Sequence, residues 1–250
     1  MKRGVGYRHR SAMPKPRPWT VASHEPLAPL GDGLWQVAAD LAVLPIGRRM
    51  VIARRASGAL VVHNAVACDD ATMAAIDALG PVTTLLVPSG HHRMDAHAFA
   101  TRYPDARVLT PAGSTTRVQE LVKVDGGVDA LAPDDELRWE PLDGVPAEAV
   151  LIHRRAGAAT LIFNDAFMNL PASLPGLKGW VVKLIGSTGG PKVTRTARWF
   201  IVKDKPAYAA HLRRLAATPG LARVIPAHGA IVDGADASRA ALERAAAGIA

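Results

Sequence analysis

One cysteine, Cys68, in 250 residues rules out an internal disulfide and any thiolate set for a zinc ribbon or iron-sulfur cluster. A metal, if there is one, must rest on His, Asp and Glu. No stretch approaches the roughly 20 apolar residues that a spanning helix needs. The N-terminal "MKRGVGYRHRSAMPKPRPW" sets prolines and arginines where a secretory signal requires an apolar run. The expectation is therefore a soluble, cytoplasmic protein with no membrane partner. Aromatic residues make up only 5% of the chain and are not interleaved with basic ones. That leaves no stacking platform, so nucleic acid is not an expected partner.

Acidic residues are missing from two places. Residues 1–19 carry six Lys/Arg and no acid, so of the formal charge of +8 only 24 − 22 = +2 belongs to the rest of the chain. The basicity reads as a flexible tail rather than a charged binding face. Residues 1–31 are assigned to this tail and 32–250 to one domain, and Met13 is an alternative start. The second acid-free stretch, from Lys178 to Lys203, includes "GSTGGPKVTRTARW". Its Gly and Thr content predicts a loop overhanging a site.

What is present is a regular alternation. "MVIARR" and "ALVVHNAV" flank the turn "ASG" as a hairpin. "DDATMAAIDALG" has Asp capping candidates at its start and Gly80 at its end, which predicts a helix. "TTLLVPS" and "ARVLTPA" read as strands, with a helix between them carrying Ala96, Phe99, Ala100 and Tyr103 and another following in "STTRVQELVKV". "ELRWEPL", "EAVLIHRR", "ATLIFND" and "ARVIPAHG" are further strands, and "KPAYAAHLRRLAAT" and "DASRAALERAAAGIA" are helices. The order implies one α/β domain of mixed sheets covered by helices.

Several apolar runs end on metal-competent side chains: His63, His91, Asp165 and His228. In layered α/β folds such strand ends converge on a shared pocket. Each residue also has a plainer role open to it. Asp95 could cap a helix, and His92 could pack beside Ala96 and Phe99 as a hydrogen-bonded core histidine. His63 could satisfy turn backbone, His153 could pair across strands, and His97 and His211 could be surface or packing residues.

The motif order, with "NDAF" and "PAHG" as its later elements, resembles the metallo-β-lactamase superfamily from about Asp32 to the C-terminus. More closely, "VVHNAVACDDATMAAIDALGPVTTLLVPSGHH", "YPDARVLTPAG" and "EAVLIHRRAGAATLIFNDAFMN" resemble an uncharacterised, domain-of-unknown-function branch of it. The resemblance implies a four-layer αββα sandwich of mixed α/β (α+β) type, with metal-dependent hydrolysis at strand ends. The superfamily's His-x-His-x-Asp-His motif is depleted here. Started at His91 it keeps His91 and Asp95 but has Arg93 and Ala96 where histidines belong. Started at His92 it keeps only His92 and His97. The superfamily's later histidine would fall near Gly144 and is missing.

The first register leaves His91, Asp95, Asp165 and His228 as ligands for one Zn, Fe or Mn ion. Asp95 would be ligand or general base, and Arg93 a fixed positive charge replacing a second metal and clamping an anionic small-molecule substrate. An ester, lactone, amide or phosphoester is the implied substrate class. The alternative is a metal-free, non-catalytic member of the fold that binds an anion through Arg93. β-Lactam hydrolysis does not follow, because the fold hosts many chemistries.

Overall fold

A computed structural model describes residues 15–31, 33–41, 44–132 and 134–249. The first half builds a six-stranded sheet in sequential order. Its strands are β1 (Ala28–Gly31), β2 (Leu34–Ala39), β3 (Arg48–Arg54), β4 (Leu60–His63), β5 (Val82–Leu86) and β6 (Arg107–Leu109), and the helices of this half are α1 (Asp70–Asp77), α2 (Ala96–Arg102) and α3 (Thr115–Gln119). Strands β1 to β4 are antiparallel neighbours, whereas β4, β5 and β6 run parallel, because α1 and α2 supply the crossovers that parallel pairing needs.

The second half gives β7 (Leu137–Leu142), β8 (Val145–Arg155), β9 (Ala158–Phe163), the short β10 (Met168–Leu170), α4 (Gly176–Leu184), β11 (Gly190–Lys192), α5 (Arg195–Phe200), α6 (Lys205–Ala216), β12 (Leu221–Pro226), β13 (Val232–Asp233) and α7 (Ala235–Ala247). Strands β13, β12, β9, β8 and β7 form the second sheet in that order, and β10 and β11 pair as a separate ribbon.

Alternating side chains divide the interior into three apolar layers. Val51, Val61, Leu86 and Leu109 of the first sheet meet Leu137, Leu151, Ile162 and Ile225 of the second. The first sheet's other face, with Ile52, Val62 and Leu85, packs on Met73, Ile76 and Phe99 of its helices. The second sheet's outer face, with Val150, Leu161 and Val224, packs on Tyr208, Leu212 and Leu242. The result is the expected four-layer αββα order. Local chemistry agrees with it. Asp69 caps α1 by accepting from the Thr72 N–H at 2.8 Å, and Asp204 caps α6 by accepting from the Ala207 N–H at 3.0 Å. At Gly80, with φ +147°, a Cβ would lie 2.4 Å from the Gly58 carbonyl oxygen, so only glycine closes this turn.

Two expectations differ from what is found. The stretch from Lys178 to Lys203 is not a plain loop. It contains α4 and α5, which bury Val182 and Ala197, while most of its Gly and Thr residues fall between these helices or at the Thr194 cap. The part of the expected tail that falls within the described residues is fastened down. Trp19 stacks on Phe99 at 5.2 Å and donates from Nε1 to the Cys68 carbonyl at 3.0 Å, and β1 pairs with β2. One large aromatic ring with a satisfied N–H outweighs the basic composition around it. Residues 1–14, and with them Met13, lie outside the described residues. Among the described residues no helix is long and apolar enough to cross a membrane.

Candidate metal centre

The site forms where parallel strands end. Strands β9 and β12 are paired so that Phe163 lies beside Pro226. Asp165 and His228 each follow two residues beyond, which sets them side by side. Across the inter-sheet core, β5 leads through the Pro88–Ser89–Gly90 turn to His92, and β4 leads to Asn64, whose N–H donates to the Leu86 carbonyl at 3.1 Å.

These loops bring three donor atoms together. His92 Nε2 and His228 Nε2 lie 3.1 Å and 3.2 Å from Asp165 Oδ1, and 3.1 Å from each other. The triangle is almost equilateral. Four-coordinate zinc with bonds near 2.1 Å has ligand-to-ligand edges of about 3.4 Å, so the triangle is close to one coordination face. Among the described residues it is the one group of three or more His, Cys, Asp or Glu side chains that could hold a metal ion.

The hydrogen bonds behind the rings set their orientation and tautomer. His92 Nδ1 lies 3.0 Å from Asn64 Oδ1, and Asn64 fixes its own amide by donating from Nδ2 to the Arg49 carbonyl at 2.8 Å. His228 Nδ1 lies 2.6 Å from the Gly47 carbonyl oxygen. Both partners are acceptors, so each Nδ1 donates, and in the neutral ring the Nε2 then presents a lone pair. Two Nε2 atoms and a carboxylate oxygen thus face one another, an arrangement held together by protons on the rings or by a bound cation in their place. Such acceptors behind metal-binding histidines fix ring orientation and tautomer. Burial pushes the Asp165 carboxyl upward, but His92 and His228 more than offset it and hold it well below the ordinary carboxylate range.

The surrounding loops are braced. Arg49 reaches from β3 to donate to the carbonyls of Pro226 at 2.5 Å and Gly229 at 2.9 Å, on either side of His228. Glu148, fully buried in β8, accepts from the Ala166 N–H at 2.8 Å and Asn164 Nδ2 at 3.2 Å. Its carboxyl is raised well above the ordinary range by burial and then by the Asp165 charge. The Tyr208 hydroxyl donates to the Ala166 carbonyl at 3.0 Å. Asp165 is thus held from both flanks.

The structure places the residues expected from sequence as follows. Asp165 and His228 are in the triangle, and His92 completes it. His91 is exposed, and its Nε2 accepts from Arg117 Nη1 at 3.0 Å. Burial and the Arg117 charge lower its pKa. Asp95 is buried elsewhere, in an ion pair with Arg48 and accepting from the Ala67 N–H at 3.2 Å, so its charge is already met. Arg93 donates to Glu120 at 2.8 Å and to the Arg117 carbonyl. His63 is buried with neither ring nitrogen hydrogen-bonded among the described residues, and burial, then His92, pushes its pKa down to about 3. His211 accepts from the Asp143 N–H at 2.9 Å as a packing residue. Gly144, near the missing later histidine, meets the Asp204 carbonyl so closely that a Cβ would lie 2.1 Å from it.

A cavity of about 470 Å³ lies over the triangle. His91, His92, Asp165 and His228 line it together with Arg48 and the apolar Leu41, Leu44, Ile46, Met94, Met168, Ala197, Phe200 and Ile201.

No protein-family model and no curated protein matches the chain. Solved structures do. A metallo-beta-lactamase from Erythrobacter litoralis is 13% identical, with 89% of this chain and 96% of that one aligned at a TM-score of 0.60. The metallo-beta-lactamase FIM-1 from Pseudomonas aeruginosa, in a mono-zinc form, is 14% identical over 95% and 98% of the two chains at 0.58. The metallo-beta-lactamase DIM-1 is 10% identical over 92% and 100% at 0.62. Likeness at this identity concerns architecture, and with the four layers and strand-end site described above it identifies the chain's fold as the metallo-β-lactamase fold.

Proposed function

We propose that the protein is a metal-dependent hydrolase with a mononuclear site on His92, Asp165 and His228. The observation that carries this reading is the convergence of two Nε2 atoms and one carboxylate oxygen, each ring backed by an acceptor on Nδ1. Three protein ligands with a position left over are the pattern of catalytic rather than structural zinc, and Fe²⁺ or Mn²⁺ also accepts such ligands. An ion held by His92, Asp165 and His228 would supply Lewis acidity toward a carbonyl or phosphoryl oxygen and would make water more acidic. The mono-zinc form of FIM-1, a protein of the same fold, is consistent with a single ion.

The chain's own residues do the rest. Asn64 and the Gly47 carbonyl orient the imidazoles, and Glu148 and Arg49 hold the loops that carry Asp165 and His228. The apolar wall from Leu41 to Ile201 excludes water and accepts the body of a small-molecule substrate. Arg48, the arginine in the cavity wall, pairs with Asp95, so the walls favour an ester, lactone, amide or phosphoester with an apolar body over a compact anion. Arg93 pairs with Glu120 and does not line the cavity, which leaves it unsuited to the metal-free, anion-binding role.

The test is a panel of chromogenic esters, lactones, amides and phosphodiesters. It is run with chelator-treated protein and with protein reconstituted with zinc, iron or manganese. The reading predicts turnover that needs the metal and falls at least about 100-fold in Asp165→Ala. Turnover unaffected by chelation and by Asp165→Ala would contradict it.

A further inference from the structure

We propose that the face formed by α4 and α5 docks the protein on an anionic phospholipid bilayer. Ser187 Oγ lies 3.2 Å from Thr196 Oγ1, joining the end of α4 to the start of α5, and from these two helices large apolar side chains stand out in solvent: Leu177 is 78% exposed, Trp180 59%, Leu184 62%, Trp199 65% and Phe200 72%. These are most of the large hydrophobic residues exposed among the described residues, and a patch of this kind marks an interaction surface. Basic residues are set among them. Lys178, Lys183, Lys192, Arg195, Arg198 and Lys203 fall in one acid-free stretch of sequence, with Lys178, Lys183, Arg195 and Lys203 exposed.

The combination selects the occupant. A second copy of this chain placed face to face would set these cations against their own duplicates, and like charges directly opposed are unfavourable. A protein interface draws its core from aromatic and apolar residues with lysine depleted, whereas here lysines alternate with the apolar side chains along a helix that buries only Gly179 and Val182. A bilayer surface has no such requirement. Leu and Phe enter the acyl boundary, Trp prefers the headgroup level, and Lys and Arg meet anionic headgroups. This is peripheral binding, so the absence of a spanning run in the sequence does not bear on it. Phe200 belongs both to the patch and to the cavity wall, so the docked face adjoins the cavity mouth. The proposal stands whether or not a metal binds.

The test is flotation of the full chain with vesicles of phosphatidylcholine alone and of phosphatidylcholine mixed with phosphatidylglycerol. Parallel samples are Trp180→Ser with Leu184→Ser, Lys178→Gln with Lys183→Gln, and a chain lacking residues 1–14, which carry four further basic residues. All substituted positions are exposed, and an unchanged melting temperature checks that each variant folds. Expected are binding to the phosphatidylglycerol vesicles only, weakening with added salt, and a blue shift of tryptophan fluorescence. Partitioning should fall about tenfold or more in either double variant and persist without residues 1–14. The proposal is overturned if the full chain does not float, if the double variants float as well as the parent, if removing residues 1–14 alone abolishes binding, or if sedimentation equilibrium reveals a dimer that Trp180→Ser with Leu184→Ser dissociates.

Discussion

At the scale of single residues, His92 depends on Asn64. Asn64 sits at φ +59°, a left-handed conformation that Asn tolerates better than most residues, and from there its amide fixes the His92 ring. Asn64→Ala should keep the three ligands but weaken metal affinity by about 10- to 100-fold, as titration against a competing chelator would measure. Equal affinity in the variant would mean that the ring is held by packing alone. His63 gives a pH effect. Its folded pKa of about 3 lies below its ordinary 6.5, so the unfolded chain takes up the proton first, and stability is lost as pH falls from 6.5 toward 3. At pH 5 the loss is about 2 kcal/mol. Denaturant unfolding of metal-free protein at pH 7 and pH 5 should show this difference, and His63→Leu should remove most of it. An equal pH effect in both proteins would place its origin elsewhere.

These residues also mark the limit of what the sequence discloses. Asp165 and His228 were legible because each closes an apolar strand at the same offset, and parallel pairing turns equal offsets into neighbours. His92 was not. The segment from Pro88 to Asp95 has no regular period, so nothing in "SGHHRMD" says which of two adjacent histidines turns inward. Motif register favoured His91 and Asp95, but Arg48, distant in sequence, takes up Asp95, and Arg117 takes up His91. Asn64, Gly47, Glu148 and Arg49 act through tertiary contacts with no local signature.

At the scale of elements, the loops after β9 and β12 work as braced units. Gly229 has φ +91°, and a Cβ there would lie 1.9 Å from the Asn169 carbonyl oxygen. Gly229→Ala should displace the His228 loop, lowering stability by about 1–3 kcal/mol or more and metal affinity with it. A thermal melt and a metal titration on one sample would check both, and normal values would show that the loop yields cheaply. Most strands and helices could be predicted because apolar period, caps and turn glycines coincide. The α4 and α5 segment escaped that reading because most of its large apolar residues face outward and its Gly and Thr content imitates a loop.

At the scale of the whole molecule, two half-domains each contribute part of one site. The β4 and β5 loops bring Asn64 and His92, and the β9 and β12 loops bring Asp165 and His228, so the inter-sheet core sets the donor distances. Trp19 extends this outward by clasping the N-terminal strand onto Phe99 and Cys68. Trp19→Ala should lower stability by about 2–3 kcal/mol in a denaturant titration while leaving metal stoichiometry intact. Loss of metal in that variant would show that the clasp also shapes the site. The four-layer order was legible from the alternation of strands and helices, whereas the meeting of the two halves at atomic distance was not.

The most direct measurement is elemental analysis of metal per chain, in protein purified without chelators or a histidine tag. The parent is set beside His92→Ala, Asp165→Ala and His228→Ala, with His91→Ala and Asp95→Asn for contrast. The account predicts about one ion per chain in the parent and in His91→Ala, loss in the three triangle variants, and retention in Asp95→Asn wherever that variant folds. No metal in the parent after reconstitution with zinc, iron and manganese, or metal that survives in His92→Ala and is lost in His91→Ala, would contradict it.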